Sequence, residues 1–407
     1  MTTTPLTFRS WLTLLTTFVI LAIAFAFGIF ALPPFYPFFV KTFHWNQANV
    51  TSGNAINLFL VGVLSPFVGT LVDRFTPKVV ILGGTCLVAL AFALLSTVHS
   101  LGQYLAFCVV LGLGTAAVSI LPTSIIIGPY FSKRRGLAVG FINAGIGVGS
   151  YLAPKIETSR ILQRGIPSTF LMLCALMAIP FVMTLFVVKN EHRKTSESAT
   201  GRVPSAGELV RMPMFWIFGI SLFFTAHAMI GIQQNLISYL GRSGVAATRA
   251  ASVLALAQGA AALGKLVSGT LADKISARAG MVYSIVCVAL GILALLNTAP
   301  GSDMIYWVAV VFGQGYGGIF NASPTIAFEF FGTHRVGKAL GLFYVFFGLG
   351  TASGGVLAGH IFDITHRWSG PFTLDLGIAC AGLVVLLAGA SQTRRSNVIA
   401  APVLSTS

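Results

Sequence analysis

Lys265 is the residue best placed to do chemistry. It is the one basic side chain deep inside a long apolar stretch, 247–272, and it stands eight positions before Asp273 at the end of that stretch. At 1.5 Å of rise per residue, a helix there carries the ammonium about 12 Å into an apolar layer ~30 Å thick. A charge at that depth costs several kcal/mol unless it meets a partner or a wet cavity. The lysine stem spans only about half the distance back to the surface. A cation so placed can bind an anion, or take up and release a proton.

Polar and aromatic residues at helical spacing offer the rest of a cavity. Tyr316 and Phe320 are one turn apart and share a face, with Asn321 beside them. Asn321 can bond a ligand or tie two helices together. Ser119 and Thr115 lie on one stretch, and Asn235 follows Gln233 and Gln234 on another. His227, mid-way along that last stretch, reads as a helix-packing residue, its alternative being a proton carrier near neutral pH. All ten acids are expected at the ends of apolar stretches or between them, including Asp73, Glu157, Asp273, Glu329, Asp363 and Asp375. No pair of carboxylates, His/Asp cluster or nucleophile–base pair falls at one depth, so the chain is not expected to be an enzyme. There is no G-x-x-x-x-G-K-[ST] sequence for a nucleotide. The five cysteines lie in five different stretches without metal spacing, so no metal and no cofactor are expected.

The elements that position these residues follow from composition. Of 407 residues, 56% are hydrophobic and 9% charged, against about 25% charged in a soluble domain. Lipid must be the solvent for such a surface. Twelve stretches are long enough to cross a bilayer: 11–40, 48–72, 78–98, 102–129, 136–155, 167–188, 212–240, 247–272, 279–298, 304–328, 337–362 and 371–391. The fold class expected is all-α integral membrane, with twelve transmembrane helices in two pseudo-symmetric six-helix bundles. The first stretch is too long for a cleaved signal, and Pro33, Pro34 and Pro37 should break it among Phe35, Tyr36, Phe38 and Phe39, a place where a moving mouth could form.

The net charge of +15 is a topology signal. Seventeen basic residues fall in the tails and loops of one side, Lys133, Arg134 and Arg135 among them, and seven on the other, such as Lys41 and Arg367; Lys265 stays within. The excess places both termini in the cytoplasm of a cell-membrane protein. No nucleic-acid partner is expected, and the chain should act as a monomer in the lipid bilayer. The polar run 189–211 divides an N-terminal bundle, 1–188, from a C-terminal bundle, 212–395, which leaves a tail of 396–407.

The two halves repeat at an offset of about 200 residues. Gly69, Leu71, Asp73, Arg74 and Lys78 recur as Gly269, Leu271, Asp273, Lys274 and Arg278, so that each set reads G-x-L-x-D-[RK]-x-x-x-[RK]. Phe131 and Arg135 recur as Phe331 and Arg335. These twin loops resemble the signature loop of the major facilitator superfamily, and the resemblance covers nearly the whole chain. Thr76 and Pro77 depart from it, standing where the family usually has Gly and a basic residue. The segment from Tyr130 to Gly140, and Glu329-Phe330-Phe331-Gly332 with Gly341 and Gly348 beyond, resemble the monocarboxylate transporters and their oxalate/formate-antiporter relatives.

That resemblance implies a substrate and a site. In those families the eighth span carries an arginine four residues before the signature glycine, where it binds the substrate carboxylate; here that position is Lys265. Lysine offers a point charge in place of a planar fork. Some relatives have an aspartate where this chain has Ala261, so a coupling scheme through that acid does not carry over. Relatives also have site-lining residues near Tyr316, Phe320, Asn235, Ser119 and Thr115. Asp73, Arg74, Asp273, Lys274, Arg135 and Glu329 are then gate residues that hold one side closed. The expected function is secondary transport by alternating access of a small organic anion, a monocarboxylate, with a proton as a second passenger. Exchange of two anions, or efflux of a larger apolar compound, remain the alternatives.

Overall fold

The computed structural model describes residues 8–128, 130–131, 135–189, 211–331 and 336–399. They form twelve helical spans. Span α1 covers 8–43 and is assembled from Phe8–Val19, a π-helical segment Ile20–Phe25, Ala26–Phe30, a 3-10 turn Pro33–Phe35 and a last helix Tyr36–Phe43. The proline pair interrupts the helix as its missing N–H groups require. The π segment has no such marker in the sequence. There Gly149 packs against the backbone carbonyl of Ala22, an approach that any Cβ would block.

Span α2 is Gln47–Phe75, α3 is Pro77–Leu95, and α4 is two pieces, Leu101–Ala117 and Ile120–Ile127. One continuous run, Arg135–Leu176, contains a non-helical Gly165 with φ 77° and ψ 176°. That glycine turns the chain between α5, 135–164, and α6, 166–187. The second half supplies α7 (Pro213–Arg242), α8 (Ala247–Lys274), α9 (Ala277–Asn297), α10 (Met304–Phe331), α11 (Val336–Thr365) and α12 (Ser369–Ile399). Among the described residues, nine segments are long and apolar enough to cross a membrane on their own, and one of them, Ala138–Val187, holds both α5 and α6. The inter-half run at 190–210 and the tail from 400 lie outside the described residues.

An even number of spans puts both chain ends at one end of the bundle, called here the terminal end. The opposite end is the far end. In the N-terminal half an aromatic stack joins α1 to α6, with Phe35 and Phe170 rings 4.1 Å apart and nearly parallel. Phe39 continues the stack against Tyr104 of α4. Phe35 and Phe39, expected near a moving mouth, are therefore core residues, while Tyr36 between them turns toward the other half.

The halves meet along α2–α11 and α5–α8. At mid-height a Cβ on Gly62 would stand 3.0 Å from the Cα of Gly348 and 3.1 Å from the carbonyl of Tyr344. A Cβ on Gly259 would stand 3.1 Å from the ring of Tyr151. Further contacts between the halves lie toward the far end, where Gln47 of α2 meets Asn235 of α7 and Asp363 of α11. Below mid-height Leu266 and Val267 of α8 and Leu71 and Phe75 of α2 are exposed.

Candidate functional site

The central site is built by α8 and α10. These helices touch backbone to backbone, because Gly317 of α10 lies against the carbonyl of Ala261 and Gly264 of α8 against that of Gln314. So close an approach brings side chains flanking the glycines into one layer. Lys265 Nζ lies 5.8 Å from the centre of the Phe320 ring, within cation–π reach. One turn up, Tyr316 packs edge-on to Phe320 at 5.3 Å and to Phe30 of α1 at 6.4 Å. Phe320 also meets Phe347 of α11 at 5.2 Å. An aromatic wall from three spans and both halves thus stands on one side of the site, with Lys265 against its Phe320 member.

Gln258 completes the layer. It stands seven residues before Lys265 on α8, two turns along the same face. Its amide neighbours the Tyr316 phenol, yet neither Gln258 Nε2 nor Tyr316 Oη completes a hydrogen bond within the protein. Both atoms are buried. A buried polar atom left without a partner costs about 1–3 kcal/mol, so a polar ligand entering this layer would find two groups to bond. Gln258 was not singled out by the sequence. The heptad spacing to Lys265 was the available signal.

The other expected site residues go to different places. Thr115 is buried with its hydroxyl on the carbonyl of Leu111 and its side chain against Gly28, which makes it a packing residue between α4 and α1. Ser119 stands at the break in α4, with ψ 179°, just before the second piece begins. Asn235 is committed elsewhere: its amide donates to the carbonyls of Gly231 and Gly355 and accepts from Gln47 Nε2. It is therefore a far-end residue rather than part of the Lys265 layer. The side chain of Asn321 lies outside the described residues.

The far end carries a polar latch between the halves. Gln47 Nε2 donates to Asn235 Oδ1 at 2.9 Å and to Ser238 Oγ at 3.0 Å. Tyr36 Oη donates to Gln234 Oε1 at 2.6 Å. Asp363 of α11 accepts the backbone N–H groups of Gln47 and Ala48, each at 2.9 Å, and so caps α2. Asn46, the residue in the local capping position, makes no side-chain cap. At the terminal end Asp273 and Lys274 are exposed, and Arg74 lies over the ring of its neighbour Phe75. The side chains of Asp73, Arg135 and Glu329 lie outside the described residues.

Two acids correct the expectation that all ten sit at span ends or in loops. Glu157 and Asp375 are buried within helices. The helix of α5 runs on past Pro154 to Gly165, so Glu157 is inside it, and both its carboxyl oxygens lack a hydrogen bond. Asp375 is six residues into α12 and faces His227 of α7, with Nε2 to Oδ1 at 3.7 Å. The other ring nitrogen of His227 is 2.8 Å from Ser353 Oγ of α11. His227 is thus part of a cluster, not an isolated packing residue. Its partner lies 148 residues away in sequence, beyond the reach of any spacing rule.

Comparison with known proteins adds the family. The pattern described as Major Facilitator Superfamily matches residues 18–337 and again 236–405. An uncharacterised MFS-type transporter of Escherichia coli (strain K12), YhjX, is 29% identical over 306 residues, covering 72% of this chain and 73% of its own. Monocarboxylate transporter 13 of Rattus norvegicus is 25% identical over 386 residues, 93% of this chain and 88% of its own. The oxalate:formate antiporter of Oxalobacter formigenes is 25% identical over 292 residues, 68% and 67% of the two chains. Among solved structures, a mutant of the nucleoside transporter NupG superposes with a TM-score of 0.77 at 13% identity, over 92% of this chain and 99% of that one, a likeness of fold alone. Twelve spans in two halves, a repeated signature loop and a family match along nearly the whole sequence agree, and the chain belongs to the Major Facilitator Superfamily.

Proposed function

We propose that this transporter carries a small organic anion, a monocarboxylate, by alternating access, and that Lys265 binds the carboxylate. The observation that carries this reading is the single ammonium held at mid-depth against Phe320, beside the unsatisfied Tyr316 hydroxyl and Gln258 amide. A carboxylate offers one charge for the lysine and acceptor lone pairs for a phenol and an amide, which are donors. The aromatic wall of Phe30, Phe320 and Phe347 suits a short apolar body attached to that carboxylate. Similarity to a monocarboxylate transporter and to an oxalate:formate antiporter supports the same substrate class.

The cycle follows from the two ends. The far-end latch of Tyr36, Gln47, Asn235, Ser238, Gln234 and Asp363 closes one side of the site. Closure of the other belongs to the signature loops, with Asp73, Arg74, Asp273, Lys274, Arg135 and Glu329. The substrate crosses when the latches form in alternation, and Lys265 stays at the pivot. Both termini face the cytoplasm, and a proton accompanies the anion. Uptake of a panel of labelled carboxylates into proteoliposomes tests the reading. Accumulation of at least one short monocarboxylate, competed by its neighbours in the panel, is expected. Indifference to every carboxylate, with transport of an uncharged or cationic compound instead, overturns it.

A further inference from the structure

The central site leaves one buried ionisable cluster unused. His227 Nε2 stands 3.7 Å from Asp375 Oδ1, and both side chains are almost completely buried. His227 Nδ1 is held by Ser353 Oγ at 2.8 Å, which fixes the ring. Neither His227 Nε2 nor Asp375 Oδ2 makes a hydrogen bond. Room for the carboxyl is made by Gly231 of α7, where any Cβ would collide with it, and Gly354 of α11 lies against the carbonyl of His227. Three spans, α7, α11 and α12, therefore shape one pocket around an acid and a base.

Among the described residues, the other titratable groups on the elements around α7 are engaged elsewhere or exposed. On α8, Lys265 faces Phe320, Arg249 pairs with Asp303, and Asp273 and Lys274 are exposed. On α10, Tyr316 lies between Phe30 and Phe320, and Tyr306 lies under Arg249. On α9, Arg278 lies by Phe218 at the terminal end of α7, and Tyr283 bonds Gln314 and neighbours Cys287. On α11, Asp363 caps α2, His360 is exposed and Tyr344 packs with Phe347. On α12 Cys380 is exposed, and on α7 itself Tyr239 meets Phe372 while Arg242 lies over Phe362. From α1, Tyr36 bonds Gln234. Among the described residues, the charge of the His227–Asp375 pair is answered by its own two members.

We propose that His227 and Asp375, oriented by Ser353, form a proton-binding site in the C-terminal half, separate from the anion site, and that the proton held there is the one that crosses with the anion. With one proton the pair is neutral, whether the proton sits on the ring or the carboxyl, and it belongs to the pair rather than to either residue. Without it the pair carries one negative charge in an apolar pocket, which is costly to bury. Loading and unloading thus change the charge at the contact of α7 with α12. The same α7 holds Gln233, Gln234 and Asn235 about two turns further on, and Gln234 and Asn235 belong to the far-end latch. A change in how α7 is held against α12 reaches that latch along one rigid helix.

The inference rests on the anion-carrier reading only for what the proton accompanies; the site itself is tested without any substrate. Infrared difference spectra of the purified protein between acid and neutral pH should show a carboxylic C=O band or an imidazolium ring band, which Asp375→Asn and His227→Gln each remove or shift in midpoint. A spectrum identical in wild type and both variants overturns the site. If Asp375→Asn does not fold, wild-type protein labelled at the aspartate side-chain carbon, compared with His227→Gln, gives the same decision. In proteoliposomes with labelled lactate as probe, the ratio of proton-gradient-driven accumulation to lactate counterflow should fall roughly tenfold in either variant. An unchanged ratio overturns the coupling role. Wild-type protein that ignores lactate counts against the anion reading, and the infrared result then decides the proton site alone.

Discussion

Asp363 and Gln47 are joined across the two halves: the carboxylate at the end of α11 accepts the N–H groups of Gln47 and Ala48 and so caps α2. A helix start exposes unpaired N–H groups and a partial positive charge, and a carboxylate answers both. Capping usually comes from the residue just before the helix. Here it comes from the opposite half, so the stabilisation exists only while the far end is closed. Such an interaction biases a two-state equilibrium and leaves the fold of either half alone.

The latch can be weighed against the opposite end. A charged cap contributes about 1 kcal/mol, which is roughly a fivefold change in a conformational equilibrium. Asp363→Asn should therefore raise the labelling rate of a cysteine placed at Ser238, on a background without the native cysteines, several-fold with an impermeant thiol reagent applied from the far side. Asp273→Asn, by weakening the terminal-end closure proposed for the signature loops, should lower that rate. Equal rates in the two variants and the parent would remove both residues from the gate.

Gly62 tests the meeting of the halves. A side chain at Gly62 would press on Gly348 and Tyr344, and overpacking of this kind costs about 1–3 kcal/mol. Gly62→Val should cut the transport rate by about tenfold or more while the protein still elutes as a single species of the parent size. Full transport by this variant would mean that the two helices need not touch there.

The signature loop departs from its family at a strained residue. Thr76 adopts φ 95° and ψ 148°, a region nearly reserved for glycine that costs a β-branched residue about 1–3 kcal/mol. Thr76→Gly should raise the thermal midpoint of the purified protein by roughly 1–2 °C. A lower midpoint would show that the contacts of the Thr76 side chain outweigh the strain.

Orientation has its own check. With seventeen basic residues expected on the terminal side and seven on the other, a reporter fused after Ser396 should read as cytoplasmic. Activity of that reporter on the outside of the membrane would reverse the assignment of both ends.

The sequence displays what depends on local period and composition. Twelve apolar stretches, the repeated loop and the shared face of Tyr316 and Phe320 are all set by spacing along one helix, and the structure places Lys265 beside Phe320. Contacts made between distant helices leave no such trace. Gln47 and Asp363 are 316 residues apart, and nothing in either neighbourhood marks them as partners. Asp375 is close enough to the start of α12 to read as a span-end acid, yet a histidine of α7 turns it into a buried pair. The π segment of α1 lies where the backbone of Ala22 meets Gly149, a tertiary contact that no local pattern announces. Gln258 was readable in principle, because it shares a face with Lys265, but an amide beside small residues is an ordinary packing choice until an unpaired phenol is seen next to it.

The central claim is that Lys265 binds the anion, and substitution at that position measures it most directly. Proteoliposomes holding wild type, Lys265→Gln and Lys265→Arg would be compared for uptake and for counterflow of the short monocarboxylate that the wild type carries best. Lys265→Gln removes the charge and should abolish both, a loss of about a hundredfold or more for a buried ionic contact with substrate. Lys265→Arg keeps the charge and should retain substrate binding with weakened transport, since the guanidinium is larger and planar where the lysine offers a compact point charge. Wild-type rates in Lys265→Gln would contradict the account, because the anion would then be held by something other than the cation at the centre of the molecule.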